Sequence, residues 1–480
     1  MKKRIKIDEQ STFLLVTICL GLLLFDNGFY LFFPVAIIYA LLYYLQEPYK
    51  PGVFSLIALQ HFLQIAAAVW LCNYLGKDID YNTNSRSTAT IASSVGLCFM
   101  LAPIIYYHSK MPAQTRKSLF DYVSNYSTQK VMNLYIISFF IASFLGSIAF
   151  LFGGFTQIIF SLIKVKWILF LLFGYICFLK KEKINIFYIF VALEFINGFL
   201  GFFSDFKTVI YFLVILIISL IEKLDFKQVF IIGMLSVVLA IFALIWTNIK
   251  SDYRAFLNAG EKSQAITVER GEAIDKLVDL SSNVNNEGLD ASVNDMLDRL
   301  QYTYHFAKTI DRIPQILPFE NGANWFLSLE YTTTPRVLNP DKPNYDATEK
   351  TKKYTGIRYA GRKEGASFSL GYFPDAYIDF GLYGMMLFLA GLGFVYMLIY
   401  GYLLRKSSKN MVFNYAVVGA FFLEFNALEM DSTYLLGRLF SSLVTFYILV
   451  NFGFPWIIKF ITIRAEKKEA SFFLAEHESD

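Results

Sequence analysis

Long apolar runs separated by short polar loops set the pattern of this chain. FLLVTICLGLLLF (13–25), VIYFLVILIISLI (209–221) and VFIIGMLSVVLAIFALIW (229–246) are three of them. A helix needs about 20 apolar residues to cross the hydrocarbon core of a bilayer. On that criterion the pattern predicts spans at 11–25, 28–45, 53–75, 89–108, 131–152, 156–179, 184–203, 206–222, 226–249, 376–404, 411–428 and 436–463, about twelve in all, the first and eighth short. The fold class is therefore an all-α polytopic membrane protein. Its divisions are nine helices in 1–249, a large loop at 250–375, three helices in 376–463 and a tail at 464–480.

The loop 250–375 is far longer than the few residues that usually connect helices, and loops of that size are commonly functional. Its first half carries apolar residues at helical spacing: Ile274, Leu277 and Val278, then Leu297, Leu300, Tyr304 and Ala307. Ser292 with Asp295 predicts the start of the second helix and Pro314 its end. The second half is predicted to be non-helical. Pro335, Pro340 and Pro343 stiffen TTTPRVLNPDKPNYD, and a basic stretch with interleaved tyrosines follows, EKTKKYTGIRYAGRKEG (349–365).

Composition and charge refine this picture. The chain of 480 residues is 56% hydrophobic and 17% charged, against about 25% charged in soluble domains. Lys and Arg gather in alternate short loops: MKKRIK, 109–117, 180–183, 222–227, 405–409 and 464–468. By the positive-inside rule both termini are cytoplasmic and 250–375 faces outward. The basic then hydrophobic N-terminus reads as an uncleaved first helix, because a second span follows within three residues. The four cysteines lie inside predicted spans, so the outer loop has no disulfide framework and no thiolate metal site.

The densest basic patch, Lys350, Lys352, Lys353, Arg358, Arg362 and Lys363, thus lies on the outer side, against the trend. A local positive field needs an anion. An outward loop of a membrane protein is a poor place for nucleic acid. Anionic headgroups fit, and so does a lipid diphosphate matched by Arg forks. Lys207 and Arg438 are predicted at the outer headgroup level beneath this loop. Further on, Asp375 and Asp379 share one helix face, with Gly381, Gly384, Gly391 and Gly393 allowing close helix approach. On spacing alone that stretch is a glycine-rich packing helix with two acids at a wet interface.

SFSLGYFPDAYIDFGLYGMMLFLAGLG (367–393) resembles the stretch of Wzy-type O-antigen polymerases that carries Ser, Gly, a carboxylate before Ala-Tyr, Asn/Asp-Phe-Gly and then a hydrophobic span. Here the matching residues are Ser367, Gly371, Asp375, Tyr377, Asp379 and Gly381, with Asp375 standing where Glu is expected. PRVLNPDKP (335–343) and GFFSDFKTVI (201–210) are similar to other segments of that group, and the plan of many helices, one large outward loop and a few more helices is shared. The resemblance implies glycosyl transfer between undecaprenyl-diphosphate-linked oligosaccharides at the outer face of the bacterial cytoplasmic membrane, with a chain-length regulator as a possible partner. Such a transfer needs cations for the leaving diphosphate. The candidates are Arg336 first, then Arg254, Arg270, Arg358, Lys207, Lys342, Lys353 and Arg438. It also needs a general base for the attacking hydroxyl, and Asp375, His305 and Glu364 are ranked in that order; His305 fits equally as a packed residue. Neither a cofactor nor a metal is expected. An O-antigen ligase shares this architecture and donor. A transporter of lipid-linked sugar is the alternative from another class, although the spans divide nine and three rather than into equal halves.

Overall fold

The computed structural model describes residues 5–463 except 150–151, 153–154, 201–205, 259–267, 285, 335–338, 340, 360–366 and 406–409. Toward the N-terminus run α1 (Glu9–Gly21), α2 (Gly28–Leu45), α3 (Val53–Tyr74) and α4 (Arg86–Lys110). Next come α5 (Arg116–Ser124), α6 (Thr128–Ile148), α7 (Thr156–Lys180), α8 (Ile184–Leu200), α9 (Phe206–Leu220) and α10 (Phe226–Leu257). The long loop holds α11 (Arg270–Ser282), α12 (Asn286–Leu300), α13 (Tyr302–Arg312), α14 (Ala323–Thr333) and α15 (Ala347–Thr355). The chain continues through α16 (Tyr372–Arg405), α17 (Met411–Phe422), α18 (Ser432–Ile448) and α19 (Phe454–Ile461). Two-residue strands β1 (Lys6–Ile7) and β2 (Lys223–Leu224) pair in parallel.

Among the described residues eight helical segments are long and apolar enough to cross a membrane: α2, α3, α4, α6, α7, α10, α16 and the α18–α19 run. Four shorter apolar helices, Glu9–Leu24, Ile184–Phe199, Phe206–Leu220 and Met411–Phe425, lie at the remaining predicted spans. In α10 only 6% of the apolar window is buried, and Phe230, Leu235 and Val238 are open on its surface. A helix that is apolar around most of its circumference and mostly unburied along its apolar length is stable only in lipid. The protein is an all-α membrane protein.

The chain forms two compact units. The first comprises 1–113, 189–401 and 422–440; the second comprises 114–188, 402–421 and 441–480. In the second unit α6 packs on α7, Tyr126 bridges to Thr462, and Lys164 Nζ, deep in α7, donates to Ser442 Oγ at 2.7 Å.

In the first unit the helices of the long loop lie on the spans. Leu297 of α12 is buried against Ala67 and Leu71 of α3, and Asn248 of α10 donates to the Gly288 carbonyl at 3.0 Å. An aromatic core of Phe199, Phe206, Trp246 and Tyr253 locks α8, α9 and the outer part of α10 together, with Phe199 and Phe206 stacked at 4.3 Å. Gly393 is the site of closest span approach, since a Cβ there would fall 1.9 Å from the Met100 carbonyl oxygen of α4. Gly391 faces open space, and Gly381 is not a packing position but a break: its φ of 65° and ψ of −175° interrupt α16. The Ile378 carbonyl near this break accepts the Glu320 N–H at 3.0 Å.

Two local expectations are corrected. Ser292 does not start a helix. It lies inside α12, where its hydroxyl donates to the Gly288 carbonyl at 2.7 Å, and the chain breaks instead at Gln301. The basic stretch is not wholly irregular, because 347–355 forms α15. Asp346 caps its start by accepting the Thr348 N–H at 2.9 Å, and Gly356 at φ 73° closes its end. Pro314 does end α13, two residues past Arg312.

Candidate functional site

The first turn of α16 carries Asp375, whose side chain is wholly buried. Gly371, at φ 95°, delivers the chain into this turn, and its missing Cβ leaves room for the Leu428 carbonyl oxygen, which would lie 2.6 Å from it. Asp375 Oδ2 accepts from Lys350 Nζ of α15 at 2.7 Å and from the Ser432 backbone N–H at 2.7 Å. Oδ1 has no hydrogen-bond partner among the described residues. Lys350 also donates to Ser432 Oγ at 3.0 Å, and that hydroxyl lies 2.7 Å from Ser328 Oγ on α14. Next to it Tyr345 donates to Asp431 Oδ2 at 2.6 Å. Burial raises the pKa of Asp431, with Lys350 opposing the shift and Asp375 adding to it; burial likewise pushes the Tyr345 phenol up. A cavity of about 450 Å³ opens here, lined by Asn324, Ser328, Tyr331, Lys342, Tyr345 and Lys350 among others.

Other residues of the motif fasten this mouth. Asp379 accepts the Asn324 and Trp325 N–H groups at 3.2 and 2.9 Å, so a carboxylate of α16 caps the N-terminus of α14. Tyr377 donates to the Ile313 carbonyl at 2.7 Å, tying α16 to the end of α13. Ser367 is exposed just before the turn.

The predicted cations are dispersed. Lys342 bonds the Tyr331 and Thr334 carbonyls and covers the Tyr331 ring, so it braces the cavity rim. Lys353 pairs with Glu320 at 2.8 Å; this contact and the Tyr354 hydroxyl hold the Glu320 carboxyl below its ordinary value. Arg358 is exposed, Arg270 opens α11, and exposed Arg438 donates to the Glu424 carbonyl at 3.5 Å. Arg336 and Glu364 lie outside the described residues. His305 on α13 stands among tyrosines, with Nδ1 at 2.8 Å from the Tyr359 hydroxyl, and burial pushes its pKa down to about 4.

A second convergence lies at the C-terminal end of α10. The charges of Arg254, one turn on, Lys207 of α9 and Arg299 of α12 all bear on Lys250. The packing described above produces this grouping. Phe206, Ile249 and Tyr253 turn into the aromatic core and leave their neighbours Lys207, Lys250 and Arg254 outside it, while Leu297 and Leu300 on α3 bring Arg299 alongside. Lys207 and Arg254 are among the predicted cations; Lys250 and Arg299 are new. Only the i, i+4 spacing of Lys250 and Arg254 past a span hints at the cluster in sequence. Like charges brought near one another by apolar packing make a positive region suited to a polyvalent anion.

The model of a family described as a domain of unknown function, DUF8712, matches residues 70–453. No curated protein and no solved structure matches the chain.

Proposed function

This chain belongs to the DUF8712 family, and we propose that it is a membrane-embedded glycosyltransferase that polymerises lipid-linked oligosaccharide repeat units for a bacterial surface polysaccharide. The donor is an undecaprenyl-diphosphate-linked chain, and the acceptor is a sugar hydroxyl of an incoming unit on the same kind of carrier. The observation that carries the reading is the gathering of Lys207, Lys250, Arg254 and Arg299 at one end of an apolar span. Fixed cations at headgroup depth suit the negative charge that grows on a departing lipid diphosphate. The resemblance of 367–393 to Wzy-type polymerases supports the same reaction.

The proposed orientation crosses the membrane twelve times with both termini cytoplasmic and the long loop outward. Pairing of β1 with β2 supports it, because it joins the N-terminal segment to the basic loop before α10. Within the second unit, the Tyr126–Thr462 bridge joins two further segments assigned to the cytoplasmic side.

The test is a gel of surface polysaccharide from a strain lacking the gene, rescued by wild type or by Lys250→Ala/Arg299→Ala. Loss of the long-chain ladder with single units still attached, restored by wild type and not by the double variant, is the expected result. Long lipid-linked polymer that is never attached identifies a ligase instead. An unaltered ladder refutes both.

A further inference from the structure

The loop after α17 does not stop at the outer rim. Gln64, buried partway along α3, accepts the Leu428 N–H at 2.7 Å and donates from Nε2 to Glu429 Oε2 at 3.2 Å. Both ends of one buried amide are thus spent on fixing two successive loop residues. Glu429 itself remains exposed. Its charge bears on the phenols of Tyr302 and Tyr211. Tyr211 in turn lies four residues beyond Lys207, on the same face of α9. A single helix face therefore carries Lys207 and a tyrosine within reach of the Glu429 charge.

Three neighbouring acids are committed. Asp375 is wholly buried against Lys350, Asp379 caps α14, and buried Asp431 is bound by Tyr345. Glu429 combines exposure, a buried group that orients it, and two aromatic hydroxyl side chains of the kind that line sugar sites.

We propose that Glu429 is the catalytic carboxylate of the transfer, accepting the proton of the attacking sugar hydroxyl. This rests on the lipid-diphosphate reading given above. In the step, the hydroxyl oxygen of the acceptor bonds to the anomeric carbon of the donor. The bond from that carbon to the diphosphate oxygen breaks, and its electron pair leaves on the diphosphate held by the cations. The hydroxyl proton passes to the Glu429 carboxylate and then to water. Gln64 is a positioning residue.

The experiment compares Glu429→Gln and Glu429→Asp in the full chain, with two readouts: binding of undecaprenyl diphosphate to protein in lipid nanodiscs, and ladder formation in the deletion strain. Loss of a general base costs about 10²- to 10⁴-fold in rate. Glu429→Gln should therefore bind undecaprenyl diphosphate within about twofold of wild type, a free-energy change far below one decade of affinity, and form no ladder. Glu429→Asp, with shorter reach, should bind equally and recover a part of the ladder. A full ladder from Glu429→Gln overturns the proposal, and so does its loss of undecaprenyl diphosphate binding, which would make Glu429 a donor-binding group. Should Glu429→Gln fail to fold, Glu429→Asp decides alone: binding with a reduced ladder supports the proposal, and an unchanged or wholly absent ladder overturns it. Wild-type protein that neither binds undecaprenyl diphosphate nor supports a ladder refutes the polymerase reading itself.

Discussion

Lys350→Met is the sharpest test of how the mouth of α16 is held. In the native protein the Lys350 side chain is 12% exposed, and its ammonium neutralises a carboxylate that is 0% exposed. Taking away one partner of a buried pair leaves an uncompensated charge and costs about 3–5 kcal/mol. The Ser432 N–H still donates to Asp375 at 2.7 Å, which places the expected loss at the lower end, about 3 kcal/mol, or about a hundredfold in the folded-to-unfolded ratio. Asp431 works against the variant, because Lys350 no longer offsets its repulsion from Asp375. The assay is reversible unfolding in mixed micelles by titration with SDS. Adding Asp375→Asn keeps an acceptor for Ser432 and removes the stranded charge, so the double variant should regain at least about half of the loss. If Lys350→Met falls within about 0.5 kcal/mol of wild type, or if the double variant is as unstable as the two single effects added, the bond does not hold the mouth together.

Three further outcomes follow from local geometry. Gly371→Ala forces a Cβ onto a φ of 95° and to 2.6 Å from the Leu428 carbonyl oxygen; it should cost about 1–3 kcal/mol and, by shifting the loop that carries Glu429, weaken the ladder as well. Asp379→Ala removes the cap of α14 and should cost about 1–2 kcal/mol in the same unfolding assay. The pKa of His305, lowered to about 4 from an ordinary 6.5, makes the unfolded chain bind a proton before the folded one does. Its contribution is complete above pH 6.5 and is lost as the pH falls toward 4, by about 3 kcal/mol at most; His305→Gln should flatten that part of a stability–pH curve.

The helices of the membrane region were legible because length and apolar content alone govern them. Each predicted span coincides with an apolar helix, though four of these helices are shorter than a full crossing. The outer segment was harder. α15 has little apolar periodicity to announce it, and its signals are one cap, Asp346, and one left-handed stop, Gly356. Ser292 gave a start signal of the right composition but was overruled by the packing of α12 on α3 and α10. The acids of 375–379 were visible in sequence, yet their duties were not. Lys350 is 25 residues from Asp375, and Asn324 is 55 residues from Asp379. Arg299 and Lys250 reach one place only after three helices have packed, and nothing local to either residue records that. The bond of Glu429 to Gln64 crosses 365 positions, and nothing local to Glu429 in sequence records it.

The break at Gly381 has a mechanical consequence. The hydrogen bonds that fasten the mouth, through Asp375, Tyr377, Ile378 and Asp379, all precede that residue, and beyond it Phe388 packs on Trp325 of α14 at 4.4 Å between ring centroids. The longer part of α16 lies beyond it, in the lipid. Spans tilt when a bilayer thickens or thins, and a continuous helix would carry that tilt straight into the cavity wall. With the helix interrupted at Gly381, the hydrogen bonds to α13, α14 and α15 are separated from the longer length, and the Trp325–Phe388 contact bridges the break. Such a break is expected to soften, through a single aromatic contact, the transmission of bilayer thickness changes to the mouth.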